Sequence, residues 1–280
     1  MKKTMLLASL CLMLSTTTLS AKQFAAADTD PALEQAGQAK PATYKAKLGN
    51  SKDNKVIITM TSGSVQIVGH NSDEVVIDGG KYTPPPARAA GLKPLYNTAE
   101  DNTELGLSVT KEGNTMKITQ ASRQGNKYTI KVPKNASVLY QETAWGGKSI
   151  TMSDLDGEIE LKLNSAGATL EKISGPVVAS STSGDFIIKY DKVNQAKPNS
   201  ISTVSGIIDL TLPANTKADF KLKTINGEVY TDFDMNLPNA NRDGLSRVGG
   251  NNKVDGKTNG GGVEMSLYTI SNNIYIRKAK

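Results

Sequence analysis

Apolar and polar residues alternate along most of the chain after residue 44. The alternation is clearest in three stretches, Ile159 to Leu163, Ile208 to Leu212 and Val263 to Leu267, where every second residue is apolar. A period of two residues places successive side chains on opposite faces of a β-strand. Amphipathic helical patterns are absent from the sequence. The sequence therefore predicts an all-β protein built from short strands, each with one buried face.

A short turn motif separates many of these strands. It consists of an apolar or hydroxyl residue, then Ser, Asp or Asn, then Gly, and apolar residues follow two and often four positions later. The copies end at Gly63, Gly157, Gly175, Gly184, Gly206 and Gly227, and the last copy ends at Asn272. Gly and Asn tolerate positive φ, so we expect these residues to turn the chain in the left-handed region.

The spacing of the turn glycines bears on the fold. From Gly157 to Gly227 the successive intervals are 18, 9, 22 and 21 residues, which are near multiples of one strand plus one turn. A period of about 20 residues favours a β-solenoid, β-helix-like in character, with two or more strands per rung. Strands at this spacing also suit a β-sandwich or a barrel of hairpins, and that alternative stays open.

The first residues have the layout of a bacterial secretory signal peptide. Two lysines precede the apolar run from Met5 to Leu14, and small and hydroxyl residues lead to Ala21. The apolar run is shorter than the about 20 residues that span a membrane. We predict a signal peptide at 1–21, a flexible leader at 22–43 and a single β-repeat domain at 44–280. Loop insertions rich in Pro, Gly or Asn are expected at 83–104 and 236–262.

Composition limits the partners of the exported chain. The formal charge of +6 falls to +4 without Lys2 and Lys3, because 31 basic residues then face 27 acidic ones. The charges are dispersed, so no nucleic acid partner is expected, and no integral membrane segment is expected after signal cleavage. The only cysteine, Cys11, lies in the predicted signal peptide, so the mature chain would lack thiols. We predict an exported protein that is periplasmic, outer-membrane-associated or at the cell surface.

Two motifs invite a chemical interpretation that the sequence does not favour. The run from Trp145 to Ser149, which includes Lys148, superficially suggests a phosphate loop. The position where such a loop requires its first glycine holds Glu142, however, and no helical pattern follows. We expect a turn there. His70 is the only histidine and lies between two strand patterns, so we predict a surface turn and not a metal site or a catalytic base.

Acidic residues cluster in two places. Asp154, Asp156 and Glu158 form one group, and Asp232 and Asp234 form the other. Such oxygens bind calcium in some exported repeats, but no full calcium loop is present, and solvated strand edges are the simpler expectation. No catalytic, cofactor-binding or metal-ligating residue is therefore predicted, and no cofactor is expected.

Three segments together resemble a known family. They are Lys131–Val138, Ser202–Pro213 and Leu267–Lys278, with the turn series between the first two. In this order they are similar to the bacterial putative-adhesin domains of the DUF4097 type, and the resemblance covers about residues 45 to 278. It implies a β-helix-like fold, a location in the cell envelope or at its surface, and no catalytic residues. The insertions after Tyr82 and Asn236 depart from the family pattern.

The resemblance and the composition lead to one functional hypothesis. The protein would be a non-enzymatic envelope or cell-surface protein of putative adhesin type. It would bind a protein or a glycan through an extended β-surface and its loops. Two alternatives stay open: a carbohydrate-active β-helix enzyme, and an accessory protein of envelope-stress sensing.

Overall fold

The body of the protein consists of two ten-stranded sheets that enclose one apolar core. The computed structural model describes residues 43–49, 51–80, 82–235 and 253–280. The predicted signal peptide and nearly all of the predicted leader lie outside the described residues, as does the segment 236–252 of the second predicted insertion. The all-β fold class is confirmed.

The strands of the described residues are short, and a 3-10 helix at Ala87–Ala89 accompanies them. In chain order they are β1 Thr43–Lys47, β2 Lys55–Met60, β3 Ser64–His70, β4 Glu74–Asp78, β5 Leu107–Glu112, β6 Thr115–Gln120, β7 Lys127–Pro133, β8 Ser137–Glu142, β9 Ile150–Leu155, β10 Ile159–Lys162, β11 Ala168–Ile173, β12 Val177–Ser181, β13 Phe186–Tyr190, β14 Asn199–Thr203, β15 Ile208–Leu212, β16 Ala218–Thr224, β17 Val229–Thr231, β18 Lys253–Thr258, β19 Val263–Thr269 and β20 Ile274–Lys278.

From β8 to β17 consecutive strands alternate between the two sheets, and this arrangement makes the body a solenoid. Sheet A has the order β1-β4-β7-β3-β9-β11-β13-β15-β20-β17, and sheet B has the order β18-β16-β19-β14-β12-β10-β8-β2-β6-β5. One strand of sheet B and the following strand of sheet A form a rung, and strands of neighbouring rungs pair in parallel. The predicted β-solenoid is thus confirmed with two strands per rung, whereas hairpins would have put consecutive strands side by side in antiparallel pairs.

The rungs do not stack in the order in which the chain makes them. In space they follow as β6–β7, β2–β3, β8–β9, β10–β11, β12–β13, β14–β15, β19–β20 and β16–β17. At the second end, the rung β19–β20 is inserted between two rungs that precede it in the chain. Antiparallel strands lie beyond the terminal rungs: β4 and β1 next to β7, β5 next to β6, and β18 next to β16. A change of strand direction therefore ends the parallel stack at those edges.

The predicted strand faces are the faces that the structure buries. In β15 the buried and half-buried positions alternate strictly, and in β19 they alternate over the whole strand. Parallel register then brings like residues together, because Phe186 is level with Ile208 and Ile208 is level with Ile274, and all three are fully buried. The core is therefore a set of apolar columns that run from rung to rung.

The turn glycines lie at the predicted corners but not in the predicted conformation. Gly63 has positive φ, at 107°, but Gly157, Gly175, Gly184, Gly206, Gly227 and Asn272 do not. At those five glycines an added Cβ would lie under 3.0 Å from a backbone carbonyl of the neighbouring rung, as at Gly175 against Gly157 and at Gly206 against Gly184. The prediction of left-handed glycines is wrong there. Glycine is required because successive turns pack backbone against backbone.

A series of buried hydroxyl groups ties these turns together. Each belongs to the last residue of a sheet B strand, and each Oγ donates a hydrogen bond to a carbonyl in the turn of a neighbouring rung. The bonds are Ser181 to Ala166 at 3.1 Å, Thr203 to Gly184 at 3.2 Å, Thr269 to Gly206 at 3.0 Å and Thr224 to Asn272 at 2.9 Å. We call this series the hydroxyl ladder. It satisfies carbonyls that the tight turns leave without a strand partner.

The two predicted insertions have different outcomes. The described residues 82–106, which lead to β5, contain the helix Ala87–Ala89 but no strand, so the first insertion is a long loop there. In the second, Lys253–Thr258 forms strand β18 and pairs with β16, so the prediction of a loop across 236–262 is wrong for that part.

Candidate functional site

His70 is the last residue of β3, so the prediction of a turn at this position is wrong. Its ring Nε2 lies 2.8 Å from the carbonyl oxygen of Glu74 and closes the β3–β4 turn. The ring also lines a cleft of about 290 Å³ between three loops, together with Asn54 and Lys134. No group of three or more histidine, cysteine or acidic residues that could hold a metal ion occurs in the part of the chain that the structure describes.

The acids around Asp156 each face a lysine and not one another. Asp154 lies 3.6 Å from the Nζ of Lys172, and Asp156 lies 3.6 Å from that of Lys134. Glu158 approaches Lys197 at 2.7 Å and raises the pKa of that lysine through a hydrogen bond and its charge. These pairs are half-exposed or exposed, so they hold surface side chains in place and add little stability.

The second acidic group lies beside β20. The carboxylate of Asp232 accepts a hydrogen bond from the backbone N–H of Lys278 at 2.8 Å, while Asp234 is exposed. Lys278 also lies over the ring of Phe233, 5.4 Å from its centroid. Asp232 thus secures the short strand β17 to its neighbour.

The glycine run after Trp145 forms the turn between β8 and β9, as expected. The backbone N–H of Gly146 donates to the Oγ of Ser165 at 2.8 Å, and the indole of Trp145 is 69 % exposed. Glu142 is buried, and its Oε2 accepts hydrogen bonds from three consecutive backbone N–H groups in the next turn. The backbone N–H donors nearest to the glycine run are therefore already bonded to a carboxylate of the chain itself.

The outer face of sheet A carries a stacked pair of tyrosines. Tyr230 of β17 and Tyr275 of β20 are level with each other in parallel register. Their ring centroids are 5.3 Å apart and their planes differ by 12°. The rings point outward because Ile274 and Ile276, on either side of Tyr275, are fully buried. Tyr230 is 52 % exposed and Tyr275 is half-buried, so the stacked pair is partly open to solvent.

Charged groups flank this pair in a fixed geometry. The guanidinium carbon of Arg277 lies 5.1 Å from the centroid of Tyr275. Arg277 also donates two hydrogen bonds to Asp209 of β15, from Nε at 2.9 Å and from Nη2 at 3.0 Å. These bonds and the charge of Asp209 raise the pKa of Arg277. We call Tyr230, Tyr275, Arg277 and Asp209 the tyrosine face.

The tyrosine face has the features of a recognition surface. Its aromatic rings can pack against a flat apolar ligand surface, and the Arg–Asp fork places donors and an acceptor beside them. The side-chain amide of Asn273 donates to the hydroxyl of Tyr275 at 3.0 Å and orients it. All of these residues lie on or next to paired strands, so little ordering is needed when a ligand binds.

Sequence reasoning did not identify the tyrosine face. Tyr230 and Tyr275 are far apart in the chain, and they meet only because the rung β19–β20 lies next to β16–β17. The available signal was the outward position of each tyrosine in its strand, which the period of two residues does predict.

Comparison with known proteins gives a family match for the middle and later parts of the solenoid. Residues 149–266 match the family model described as Toastrack DUF4097. The resemblance to the DUF4097 family is confirmed. The Toastrack match begins beside β9 and ends within β19, so it includes the stacked glycine turns and most of the hydroxyl ladder. Tyr230 lies within the match and Tyr275 lies beyond it.

Three solved structures resemble the chain. A putative cell adhesion protein from Clostridium sporogenes is 12% identical, with 86% of this chain and 100% of that chain covered and a TM-score of 0.42. A putative adhesin from Bacteroides fragilis is 12% identical, with coverage of 86% and 98% and a TM-score of 0.37. A putative lipid binding protein from Parabacteroides distasonis is 13% identical, with coverage of 87% and 98% and a TM-score of 0.28. No curated protein matches the sequence. Across the described ranges, no helix has the length and apolar character needed to cross a membrane.

Proposed function

We propose that the protein is an exported, non-enzymatic envelope or cell-surface protein that binds a glycan through the outer face of sheet A. The observation that carries this proposal is the stacked pair Tyr230 and Tyr275, of which Tyr230 is 52 % exposed, flanked by the fork of Arg277 and Asp209. The solenoid would serve as a rigid support, and residues 44–280 would act as one domain.

The chemistry of sugars suits such a surface. A pyranose ring has one face of C–H groups that can pack against an aromatic ring, and hydroxyl groups around its rim. Tyr230, the more exposed of the two stacked rings, can pack against one sugar ring, and Tyr275 behind it holds its orientation. The guanidinium and carboxylate beside them bond hydroxyl or acidic groups at the rim. Each contact is modest, so useful affinity would come from repeated units along a chain.

Export is supported by the sequence and not by the described residues. The layout of residues 1–21 is that of a secretory signal peptide, and the only cysteine lies within it. The compartment that follows from this is the periplasm, the outer membrane surface or the cell surface. A polysaccharide of the envelope is the partner class that all three compartments share.

Binding of purified protein to envelope polysaccharide fragments tests the proposal. We expect the double variant Tyr230→Ala/Tyr275→Ala to bind at least about tenfold more weakly, which corresponds to about 1.4 kcal/mol, the upper range for one aromatic pair. Tyr230→Phe should retain binding, because the ring and its stacking are kept. The measurement is titration calorimetry with fragments of increasing length.

Tyr268 provides a matched control on the opposite sheet. It is a half-buried tyrosine on the outer face of sheet B, with Lys223 5.4 Å from its ring centroid. Tyr268→Ala should leave glycan binding unchanged. Equal weakening by Tyr268→Ala, or the absence of saturable binding to any fragment, would overturn the proposal. Release of shortened fragments would instead show a carbohydrate-active enzyme and would overturn its non-enzymatic part.

A further inference from the structure

The insertion between β4 and β5 carries the most exposed large apolar side chains of the described residues. Leu95 is 92 % exposed, Tyr96 is 75 % exposed and Leu92 is 71 % exposed. Single exposed apolar residues are common on soluble proteins, but three within five residues are not. We call these three residues the apolar tip.

The base of the insertion is well anchored. The hydroxyl of Tyr128 donates to the carbonyl of Leu105 at 2.8 Å, and the hydroxyl of Thr98 donates to the carbonyl of Gln120 at 2.6 Å. The carboxylate of Asp101 accepts a hydrogen bond from the N–H of Gly106 at 2.8 Å. The exposure of the apolar tip is therefore not the result of a loop that lacks contacts with the body.

The insertion leaves the body beside the turn between β6 and β7. Asp78, the last residue of β4, is level with Thr129 near the start of β7, and β5 begins opposite Gln120 at the end of β6. Arg123 in that turn lies 5.3 Å from the ring centroid of Tyr96. The apolar tip thus belongs to the edge of the solenoid where sheet B strands pass into sheet A strands.

Trp145 lies on the same edge. Its turn, between β8 and β9, is two rungs away from the turn that holds Arg123, with the turn of β2–β3 between them. Parallel strands are about 4.8 Å apart, so the two turns are separated by roughly 10 Å. At 69 % exposure, Trp145 is next after the apolar tip among exposed large apolar residues of the described chain. Leucine, tyrosine and tryptophan are therefore displayed together at one end of this edge.

The apolar tip and the segment before it carry only basic charges. The segment from Pro84 to Tyr96 contains Arg88 and Lys93 and no acidic residue. The turns of Arg123 and Trp145 add Arg123 and Lys148, while Glu100, Asp101 and Glu104 follow the tip at the anchored base of the insertion. This set of side chains matches the layers of an anionic membrane surface. Leucines can enter the acyl-chain layer, tyrosine and tryptophan favour the boundary with the headgroups, and the cations can contact the anionic headgroups.

We infer that this edge docks onto an anionic lipid surface. Leu92 and Leu95 enter the boundary between headgroups and acyl chains, Tyr96 and Trp145 lie at headgroup level, and Arg88 and Lys93 contact lipid phosphates. A lipid surface fits better than a protein partner because the exposed leucines lie among basic residues, with no acidic residue from Pro84 to Tyr96, as an anionic headgroup layer over an apolar phase requires. The site is remote from the tyrosine face, which lies in the last three rungs at the other end of the stack.

Vesicle binding tests this inference, and the protein contains its own probe because Trp145 is the only tryptophan. The protein without its predicted signal peptide is mixed with vesicles of phosphatidylcholine, with or without phosphatidylglycerol. We expect co-sedimentation, a blue shift of the tryptophan emission and quenching by brominated acyl chains with the anionic vesicles. The shift and the sedimented fraction should fall as salt is raised, because the headgroup contacts are screened.

Variants separate the apolar from the charged contribution. Leu92→Ser/Leu95→Ser should weaken partitioning at least about tenfold, since two leucine side chains lose their apolar phase. Arg88→Ser/Lys93→Ser should remove most of the preference for anionic vesicles. The control Val178→Ser/Ile187→Ser changes two exposed aliphatic residues on the outer faces of the sheets and should bind as the wild type does. Circular dichroism establishes that each variant is folded.

Three outcomes would overturn the inference: no binding to either vesicle, equal binding to both, or equal loss in the tip variant and in the control. Crosslinking of position 95 to a protein in cells, without vesicle binding, would assign the edge to a protein partner and also overturn it. The double variant Tyr230→Ala/Tyr275→Ala should bind vesicles normally. Failure of this inference is therefore distinguishable from failure of the proposed glycan site.

Discussion

The central rungs and the terminal rungs of the solenoid are built by different rules. From β8 to β15 the chain adds one rung after another, and turns such as Gly175 on Gly157 stack backbone on backbone. At both ends the rung order departs from the chain order, and the exposed features are found there: the apolar tip at one end and the tyrosine face at the other. The repeat thus supplies the rigid body, and the interruptions of the repeat supply the surfaces that can recognise a partner.

The largest loss of stability is expected from a substitution in the central turns. In Gly175→Val the new side chain meets the carbonyl of Gly157, which belongs to the backbone and cannot move aside without opening the rung. We expect a loss of about 3 kcal/mol or more in the free energy of unfolding, measured by urea titration. The terminal hairpin offers a control, because Gly113 has φ 58° and an added Cβ would meet nothing within 4 Å. Gly113→Asn should change stability by less than about 0.5 kcal/mol, since asparagine tolerates this conformation. Similar losses in both variants would contradict the distinction.

High pH should weaken the fold through the buried tyrosines, among them Tyr128 in a terminal rung. Burial raises the pKa of Tyr128 in β7 to about 12 and raises the pKa of Tyr140 and Tyr190, in central rungs, still further. The unfolded phenol ionises near pH 10, so folding favours the neutral form. This contribution is complete below pH 10 and is lost as the pH rises towards 12, by about 2 to 3 kcal/mol for Tyr128.

Urea titrations between pH 8 and pH 12 measure this loss. Tyr128→Phe lacks the ionisable hydroxyl, so its stability should decline less steeply over the interval from pH 10 to 12. An unchanged slope in that variant would mean that Tyr128 does not carry the pH dependence.

The smallest expected loss of stability comes from the hydroxyl ladder, and it should differ between an interior rung and the last rung. Thr269→Val leaves the buried carbonyl of Gly206 without its donor and should cost about 1 to 2 kcal/mol. Thr224→Val removes the bond to Asn272, which is half-exposed and can bond to water instead, so the cost should stay below about 1 kcal/mol. Thermal unfolding of the two variants compares them directly. A greater loss for Thr224→Val would reverse the order that burial predicts.

The sequence predicted what depends on neighbours along the chain. The strand faces around Ile159 and Ile208 follow from a period of two residues, and the turn positions follow from the glycine motif. The reason for the glycines was not predictable, because the carbonyl that excludes a side chain at Gly206 belongs to another rung, at Gly184. The role of Thr203, which donates a hydrogen bond to that same carbonyl, was not predictable either. A threonine before the turn looks locally like any polar strand residue.

Contacts between distant rungs could not be predicted. Every parallel pair of strands forms the same backbone hydrogen bonds, so nothing local indicates that β20 lies between β15 and β17. The tyrosine face depends on that placement, because Tyr275 meets both Tyr230 and, through Arg277, Asp209. The composition of the first insertion did indicate a long loop, but only the structure shows how far Leu95 is exposed.

The inserted rung has a consequence for the order in which the chain can fold during synthesis. The rung β19–β20 lies between two rungs that are synthesised before it. The nascent chain therefore cannot complete its sheets by adding rungs in chain order. β16–β17 has no permanent neighbour on its inner side until the later segment arrives, and any premature pairing with β14–β15 must be undone. Sheets that wait for distant partners form slowly. The two sheets are thus completed only once the segment that forms β20 has been synthesised, so a nascent chain that lacks this segment cannot reach its final fold.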